Sequence, residues 1–260
     1  MNYLHWFRQF LSHPIWAWYN WKAWVNYHYS LITRTGLKRI AEYRHYLYSM
    51  EEALATVTQQ SPAAIKSALE GAAGQVEQPD QLNERTPIPN TFDASPELAQ
   101  LCFAICRLMR PSKIVEIGVG NGQTSFYILK ALHENVEGQL YSIDLPYFSP
   151  GAERSVGRLV PQSFRPRWAL TLGPSQRVLR RMLPKIAPVD VFIHDGDHTY
   201  WTQLAEFRKG WSALRPGGVL IADDVVTDAF MVLANESGVT PVVVAQSNKP
   251  ELIGILSKPT

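Results

Sequence analysis

Short apolar runs alternate with amphipathic segments from Lys113 onward, and this alternation constrains the fold more than any other feature of the sequence. The runs are strand-like, and helical periodicity occupies most of the intervals between them: IVEIG, LYSID, WALTL, DVFIH, GVLIAD, PVVVA and LIGILS. Buried parallel strands covered by connecting helices have this pattern. The sequence therefore predicts an α/β fold with a doubly wound, mostly parallel sheet. The last two runs are separated only by QSNKP, which predicts a C-terminal hairpin with one antiparallel strand.

Composition divides the chain into three parts. Residues 1–57 are predicted to form a helical accessory region, residues 58–94 a linker, and residues 95–260 the main domain. The linker is rich in Gln, Pro, Ala, Asn and Gly, with one short helical signal that begins at Ser61. Ser95 gives a second helix start, and apolar residues then recur at helical spacing. The main domain is therefore expected to open with a helix.

The N-terminal 50 residues have an unusual composition. They hold five of the eight tryptophans, seven of the eleven tyrosines and six Lys or Arg, against Glu42 as the single acid. Such residues are enriched both at protein interfaces and at the headgroup layer of membranes. A lid or homodimer contact is the favoured interpretation, and peripheral contact with a membrane surface through residues 1–50 is the alternative.

Charge, hydropathy and cysteine content limit the partners and the cellular location that we expect for this chain. The formal net charge of +2 gives no basic excess of the kind that nucleic-acid binding requires, so no nucleic-acid partner is expected. No apolar run reaches the roughly 20 residues of a membrane span, and the N-terminus lacks the pattern of a secretory signal. Cys102 and Cys106 give no disulfide framework. We expect a cytoplasmic protein, with peripheral contact at the inner face of a membrane as the alternative.

Three glycines alternate after the first predicted strand of the main domain. Gly118, Gly120 and Gly122 precede a helix, and glycines there permit a tight turn and close approach of a ligand to the backbone. A dinucleotide fingerprint requires its third glycine one residue later, where Gln123 stands. Asp144 ends the next strand, 22 residues after Gly122, and can accept hydrogen bonds from ribose hydroxyls. The pattern predicts a nucleoside-cofactor site and leaves an NAD-dependent oxidoreductase open.

A set of motifs in a fixed order extends this pattern through most of the main domain. They are VEIGVGNGQTS, SIDLP, RWALTLGPSQRVL, DVFIHDGDHTY, EFRKGW, LRPGG and IADDV. With these motifs the chain resembles the class I S-adenosylmethionine-dependent methyltransferases over about residues 95–258. It is most similar to the branch of metal-dependent catechol and sugar O-methyltransferases, methyltransferase family 24. The resemblance implies a Rossmann-like sheet and S-adenosyl-L-methionine as cofactor.

The resemblance also implies roles for individual residues in cofactor binding. The three glycines would line the methionine and ribose parts of the cofactor, and Glu116 would orient nearby backbone or the amino group. Asp144 would hold the ribose hydroxyls. Ser175 would lie near the adenine, although Pro174 stands where the family often has an acid.

The family's metal pattern corresponds to Asp195 and to the pair Asp223 and Asp224. Three carboxylates suit a hard ion such as Mg²⁺, and three converging acids would repel one another without a cation or protons. His198 is the candidate general base or acceptor-positioning group, with helix capping as the alternative. His194 is assigned to packing, because adjacent strand residues point to opposite faces of a sheet.

The function predicted from the sequence is metal-assisted methylation of a hydroxyl group, with Asp195 and His198 as the catalytic residues. The acceptor is expected to be a sugar, glycolipid or aromatic small molecule. Two alternatives remain: the oxidoreductase named above, and an inactive methyltransferase-like scaffold associated with a membrane.

Overall fold

The computed structural model describes residues 11, 13–33, 40–73, 88, 94–146 and 151–260. Within them, eight strands form one sheet: β1 (Leu47–Tyr48), β2 (Lys113–Ile117), β3 (Gln139–Asp144), β4 (Trp168–Leu172), β5 (Val189–His194), β6 (Leu214–Ala222), β7 (Val242–Ala245) and β8 (Leu252–Ser257). Their order across the sheet is β1-β7-β8-β6-β5-β2-β3-β4. Only β8 pairs antiparallel among these strands, with β6 and with β7. The predicted sheet and its C-terminal antiparallel hairpin strand are confirmed.

Helices cover both faces of this sheet. They are α1 (Pro14–Thr33), α2 (Met50–Thr58), α3 (Pro62–Ala73), α4 (Pro96–Met109), α5 (Gln123–Asn135), α6 (Ala152–Ser155), α7 (Ser175–Ile186), α8 (Tyr200–Ala213) and α9 (Ala229–Ser237), with 3-10 turns at Arg44–Tyr46 and Arg165–Arg167. The Ser95 hydroxyl caps α4 by accepting from the Leu98 N–H, as the sequence predicts. The fold thus places helices between successive parallel strands.

Strand β6 begins earlier than its apolar run suggests. Leu214 pairs with Val189, whereas the next pair joins Val219 to Val191, so the segment RPGG bulges out between them. The sequence predicts a turn at these residues that introduces the strand. These residues instead lie inside a bulged strand, because Leu214 already pairs with Val189.

The core of the sheet extends into the region before residue 95. Helix α4 is almost wholly buried, and α2 and α3 pack beside it, so that Leu54 and Ile65 join the same apolar cluster as Leu101. Strand β1 adds a short parallel edge beside β7. Packing therefore crosses the predicted boundaries at residues 57 and 94, and the three-part division remains a prediction.

Helix α1 lies against the edge of the sheet that carries β3 and β4. Asn20 donates through its side-chain amide to the Pro146 carbonyl at 3.3 Å, and Ala17 is buried. Several aromatic rings of the same helix are exposed, among them Trp18 and Tyr29. None of the helices in the described ranges is both long enough and apolar enough to cross a bilayer.

Candidate active site

Hydrogen bonds between neighbouring strands continue past the ends of the strands and align the predicted site residues. Asp195 donates through its N–H to the Ile117 carbonyl at 2.8 Å, and Asp223 does the same to the His194 carbonyl at 2.8 Å. On the other side of β2, the Gly118 N–H bonds to the Ile143 carbonyl at 2.9 Å. The glycine turn and the acids that follow β5 and β6 therefore lie side by side at the carboxyl edge of the sheet.

Close backbone packing explains two of the three glycines in the turn. Gly118 has φ +87°, and a Cβ there would stand 1.8 Å from the Asp195 carbonyl oxygen. Gly122 has φ +95°, and its Cβ would stand 2.7 Å from the Cα of Gly157. Any side chain at either position would displace the neighbouring backbone. The turn is consequently fixed against the end of β5 on one side and against residues 151–160 on the other.

Asp144 supports the glycine turn from the end of β3. Its Oδ2 accepts from the Val119 N–H at 2.8 Å and from the Gly120 N–H at 3.0 Å. Burial raises the pKa of Asp144, while the two amide donors oppose that rise. The sequence predicts a ribose contact here, and that contact stays a prediction. The hydrogen bonds to the turn are a role that the sequence reasoning did not include.

Glu116 lies beneath the turn in a fully buried position. Its Oε2 accepts from the hydroxyls of Ser125 at 2.7 Å and Ser142 at 2.6 Å, and Trp168 donates in turn to Ser142. Burial raises the pKa of Glu116 to about 7, against the opposing effect of the serine hydroxyls. Glu116 orients the start of α5 through Ser125, and its predicted contact with the cofactor's amino group is not tested.

Ser175 begins α7, next to the end of β4, and its hydroxyl donates to Glu206 of α8. The other carboxylate oxygen of Glu206 lies 2.9 Å from His194 Nε2, and both side chains are fully buried. His194 also packs against the Phe207 ring, which agrees with its assignment to the core. Glu206 was not identified from the sequence. The available signal for its burial was its position next to Phe207, which lies on the apolar side of α8.

Three side chains of the candidate site converge. Asp195, His198 and Asp223 offer ligand atoms within 4.8 Å of one another, and His198 Nε2 lies 3.8 Å from Asp195 Oδ1. Burial and the carboxylates of Asp223 and Asp224 hold the pKa of Asp195 well above its usual range. Asp223 Oδ1 is buried and has no hydrogen-bond partner in the part of the chain that the structure describes. A buried, unpaired carboxylate oxygen beside a second carboxylate fits a hard divalent cation.

Asp224 has a different environment from Asp223. Its φ is +46°, and its Oδ1 accepts from Lys249 Nζ at 2.6 Å and from Gln246 at 3.2 Å. Although burial opposes ionisation, nearby His198 and Lys249 keep the pKa of Asp224 below its usual range. Asp224, predicted as a metal ligand, is thus paired with a lysine. The sequence reasoning missed Lys249, because the QSNKP segment was treated only as a hairpin loop.

A chain of polar contacts orients His198. Thr227 accepts from the Ala229 N–H and donates to Gln203 Oε1 at 2.9 Å, which leaves the Gln203 amide nitrogen 3.4 Å from His198 Nδ1. With Nδ1 as acceptor, a neutral imidazole carries its proton on Nε2, the nitrogen nearer Asp195. Gln203 was not identified from the sequence.

Asp197 and Trp201 flank the start of α8. Asp197 accepts from the Thr199 N–H at 3.0 Å and from the Thr202 hydroxyl at 2.9 Å, so its carboxylate supports the segment that begins α8. Trp201, in the first turn of α8, is 75% exposed, so its ring is not part of the core. Tyr147 and Phe148, two aromatic residues that follow β3 in the sequence, lie outside the described residues.

An open cleft of about 530 Å³ lies between α1 and α7. Trp16 of α1 and Gly173 and Pro174 before α7 line it. Arg177, Arg181 and Lys185 recur every four residues along one side of α7 and give this cleft a basic wall.

Comparison with known proteins gives three kinds of match. The family described as "Methyltransferase domain" matches residues 115–225. A protein of Mycobacterium sp. (strain JLS), named provisionally as an O-methyltransferase, is 26% identical over 174 residues, which span 58% of this chain and 73% of the relative. The residues matched by the family, 115–225, include the glycine turn and all three acids.

Two solved structures share the fold. An O-methyltransferase from Bacillus cereus in complex with SAH has a TM-score of 0.53 and 17% identity, and the alignment covers 80% of this chain and 96% of that one. An O-methyltransferase from Streptomyces achromogenes, involved in tomaymycin synthesis and in complex with SAM, has a TM-score of 0.51 and 18% identity, covering 77% and 92%. At this level of identity, the two structures show a common architecture.

Proposed function

Because this chain is a class I S-adenosylmethionine-dependent methyltransferase, we propose that it methylates a hydroxyl oxygen of a sugar, glycolipid or aromatic small molecule. One observation carries the proposal: the acids that follow β5 and β6 adjoin the glycine turn. The close approach of Gly118 to the Asp195 carbonyl fixes this contact. A methyl donor held at the turn and an acceptor held at the acids would therefore meet at one edge of the sheet.

Cofactor binding is assigned to the turn and the strand ends beside it. When bound, S-adenosylmethionine supplies an electrophilic methyl group. Gly118, Gly120 and Gly122 would admit its methionine and ribose parts against the backbone, and Asp144 would accept from the ribose hydroxyls. The Ser175 hydroxyl is already bonded to Glu206, so the adenine would meet the start of α7 through other groups.

A divalent cation such as Mg²⁺ fits beside Asp195 and Asp223, whose oxygens converge. When bound there, such an ion lowers the pKa of an acceptor hydroxyl. The two carboxylates would hold neighbouring acceptor oxygens close to the methyl group. With the Gln203 amide beside Nδ1, His198 would present Nε2 towards Asp195 and the acceptor, as the general base or acceptor-positioning group predicted for it.

The accessory helix α1 would have two surfaces with different roles. Trp16 and Asn20 face the cleft and the loop after β3, so this side would act as a lid. Trp18, Trp21 and Trp24 are each about half exposed. Together with the basic wall of α7, these rings would contact an anionic membrane surface.

Liposome sedimentation tests the membrane contact. Full-length protein should pellet with vesicles that contain an anionic phospholipid and remain in the supernatant with neutral vesicles. Replacing Trp18, Trp21 and Trp24 with Ser should abolish pelleting. Unchanged pelleting of this variant would refute the assignment, and a dimer that dissociates on the same substitutions would favour the homodimer instead.

A methyl-transfer assay tests the function itself. Purified protein is incubated with S-adenosylmethionine carrying a labelled methyl group and a panel of catechols and sugar diols, with Mg²⁺ present. Asp195→Asn should reduce label transfer at least about a hundredfold, the scale of losing an electrostatic catalytic group. Asp197→Asn is the matched control, because it removes a carboxylate two residues away that serves the start of α8. Equal loss in both variants, or none in either, would contradict the assignment.

A further inference from the structure

A lysine ammonium lies inside the acid cluster of the candidate active site. Lys249 Nζ is 2.8 Å from Asp223 Oδ2 and 2.6 Å from Asp224 Oδ1. Asp223 is only 1% exposed, so water cannot screen its charge effectively. The ammonium is therefore a counter-charge that the protein itself supplies to these acids.

The loop between β7 and β8 is built to hold this lysine in place. Gln246 donates to Asp224 Oδ1 at 3.2 Å and to the Glu251 carbonyl at 3.2 Å, which fixes both ends of the loop. Because β8 neighbours β6 in the sheet, the loop meets the acids that follow β6. The position of Lys249 thus follows from the sheet order and does not depend on a flexible tail.

The two carboxylate oxygens of Asp223 have unequal surroundings. Oδ2 is bonded to Lys249, whereas Oδ1 is buried without a hydrogen-bond partner among the described residues. Leaving a buried acceptor unpaired is costly, which indicates that a further ligand belongs there. Asp195 and Asp223 therefore offer an incomplete cation site that Lys249 borders.

We propose that Lys249 is a resident counter-cation that competes with a divalent cation for this acid cluster. The inference rests on the proposed function only in its choice of site. With Lys249 in place, Asp224 is engaged, and the ammonium repels any ion that approaches Asp223 Oδ1. A divalent ion at Asp195 and Asp223 would bind weakly while Lys249 stays beside Asp223 Oδ2, so metal occupancy would favour release of the lysine contact.

Manganese binding to the full chain tests the competition. Free Mn²⁺ is measured by electron paramagnetic resonance during titration of the wild type, Lys249→Met and Lys66→Met. Methionine keeps the length of the side chain, and Lys66, which is on the surface of α3, controls for the loss of one positive charge. Lys249→Met should bind Mn²⁺ at least about tenfold more tightly, because a unit charge about 4 Å away is removed from a weakly screened site. Equal or weaker binding than in the wild type would overturn the inference.

Amine labelling of the wild type provides a second test that does not require a variant to fold. Lys249 should resist an amine-reactive reagent in metal-free protein and become reactive at millimolar Mn²⁺, as read by peptide mass spectrometry. Lys66 should react equally in both conditions. Unchanged reactivity of Lys249 would overturn the inference. Calorimetric binding of S-adenosylmethionine is followed separately, so that its failure counts against the proposed function and not against the competition.

Discussion

Replacing Gly118 with alanine probes the contact between the cofactor turn and the acid cluster. At φ +87°, an alanine Cβ would lie 1.8 Å from the Asp195 carbonyl oxygen, although real Cβ contacts are essentially never under 3.0 Å. One backbone segment must therefore move by more than an ångström. The movement would separate the turn from Asp195, which is the residue placed at the centre of the proposed chemistry.

The expected magnitude combines two effects. A left-handed backbone costs a non-glycine residue about 1–2 kcal/mol, and overpacking a filled site costs about 1–3 kcal/mol more. Gly118→Ala should consequently lower the free energy of unfolding by about 2–5 kcal/mol. Affinity for S-adenosylmethionine should fall at least about tenfold, because each 1.4 kcal/mol of lost contact corresponds to that factor.

Gly238→Ala is the matched control. Gly238 ends α9 at φ +66°, and a Cβ there would meet nothing within 4 Å. This variant should show the left-handed backbone strain alone, about 1–2 kcal/mol, with cofactor affinity unchanged. Urea denaturation and calorimetric titration measure both quantities. If Gly118→Ala were no less stable than Gly238→Ala and bound the cofactor equally well, the argument from close packing would be refuted.

Two further variants test the carboxylates around the turn. Asp144→Ala removes the acceptor for the N–H groups of Val119 and Gly120. It should lower the unfolding free energy by about 1–3 kcal/mol and weaken cofactor binding in calorimetry, whereas wild-type values would contradict the assigned support. Glu116→Gln tests the buried carboxyl, whose pKa burial raises from 4.5 to about 7. The folded state binds the Glu116 proton more tightly than the unfolded state does. The proton therefore stabilises the fold fully below about pH 4.5, and this contribution to the free energy of unfolding, about 3 kcal/mol, is lost as the pH rises to about 7. Urea denaturation at about pH 5 and about pH 7.5 should therefore show that the variant loses less unfolding free energy between the two pH values than the wild type does. Equal losses would show that the pKa of Glu116 is not raised.

The sheet and the position of the site were predictable because they follow from local patterns. Seven apolar runs gave the seven strands of the main domain, and strands that run parallel bring their carboxyl ends to one edge. Hence Gly118, Asp144, Asp195 and Asp223 were expected at that edge, and the structure aligns them there. Strand β1 escaped prediction because two residues are too few to show a periodic pattern.

The contacts of individual side chains were not predictable in the same way. Lys249 approaches Asp224 across the β6–β8 pairing, and a pairing between strands distant in the sequence leaves no local signal. The bond between Ser175 and Glu206 likewise depends on how α7 packs beside α8. The location of Asp144 was predicted correctly, but its role was predicted incompletely. The sequence does not show that its carboxylate accepts hydrogen bonds from the amides of Val119 and Gly120.

The central claim is that the turn at Gly118–Gly122 holds S-adenosylmethionine. Calorimetric titration of the full chain with S-adenosylmethionine, with NADH as a control, tests this claim most directly, with Mg²⁺ present and again with EDTA. The account predicts saturable one-site binding of S-adenosylmethionine in both conditions and no binding of NADH. A folded protein that binds NADH, or that binds neither compound, would contradict it.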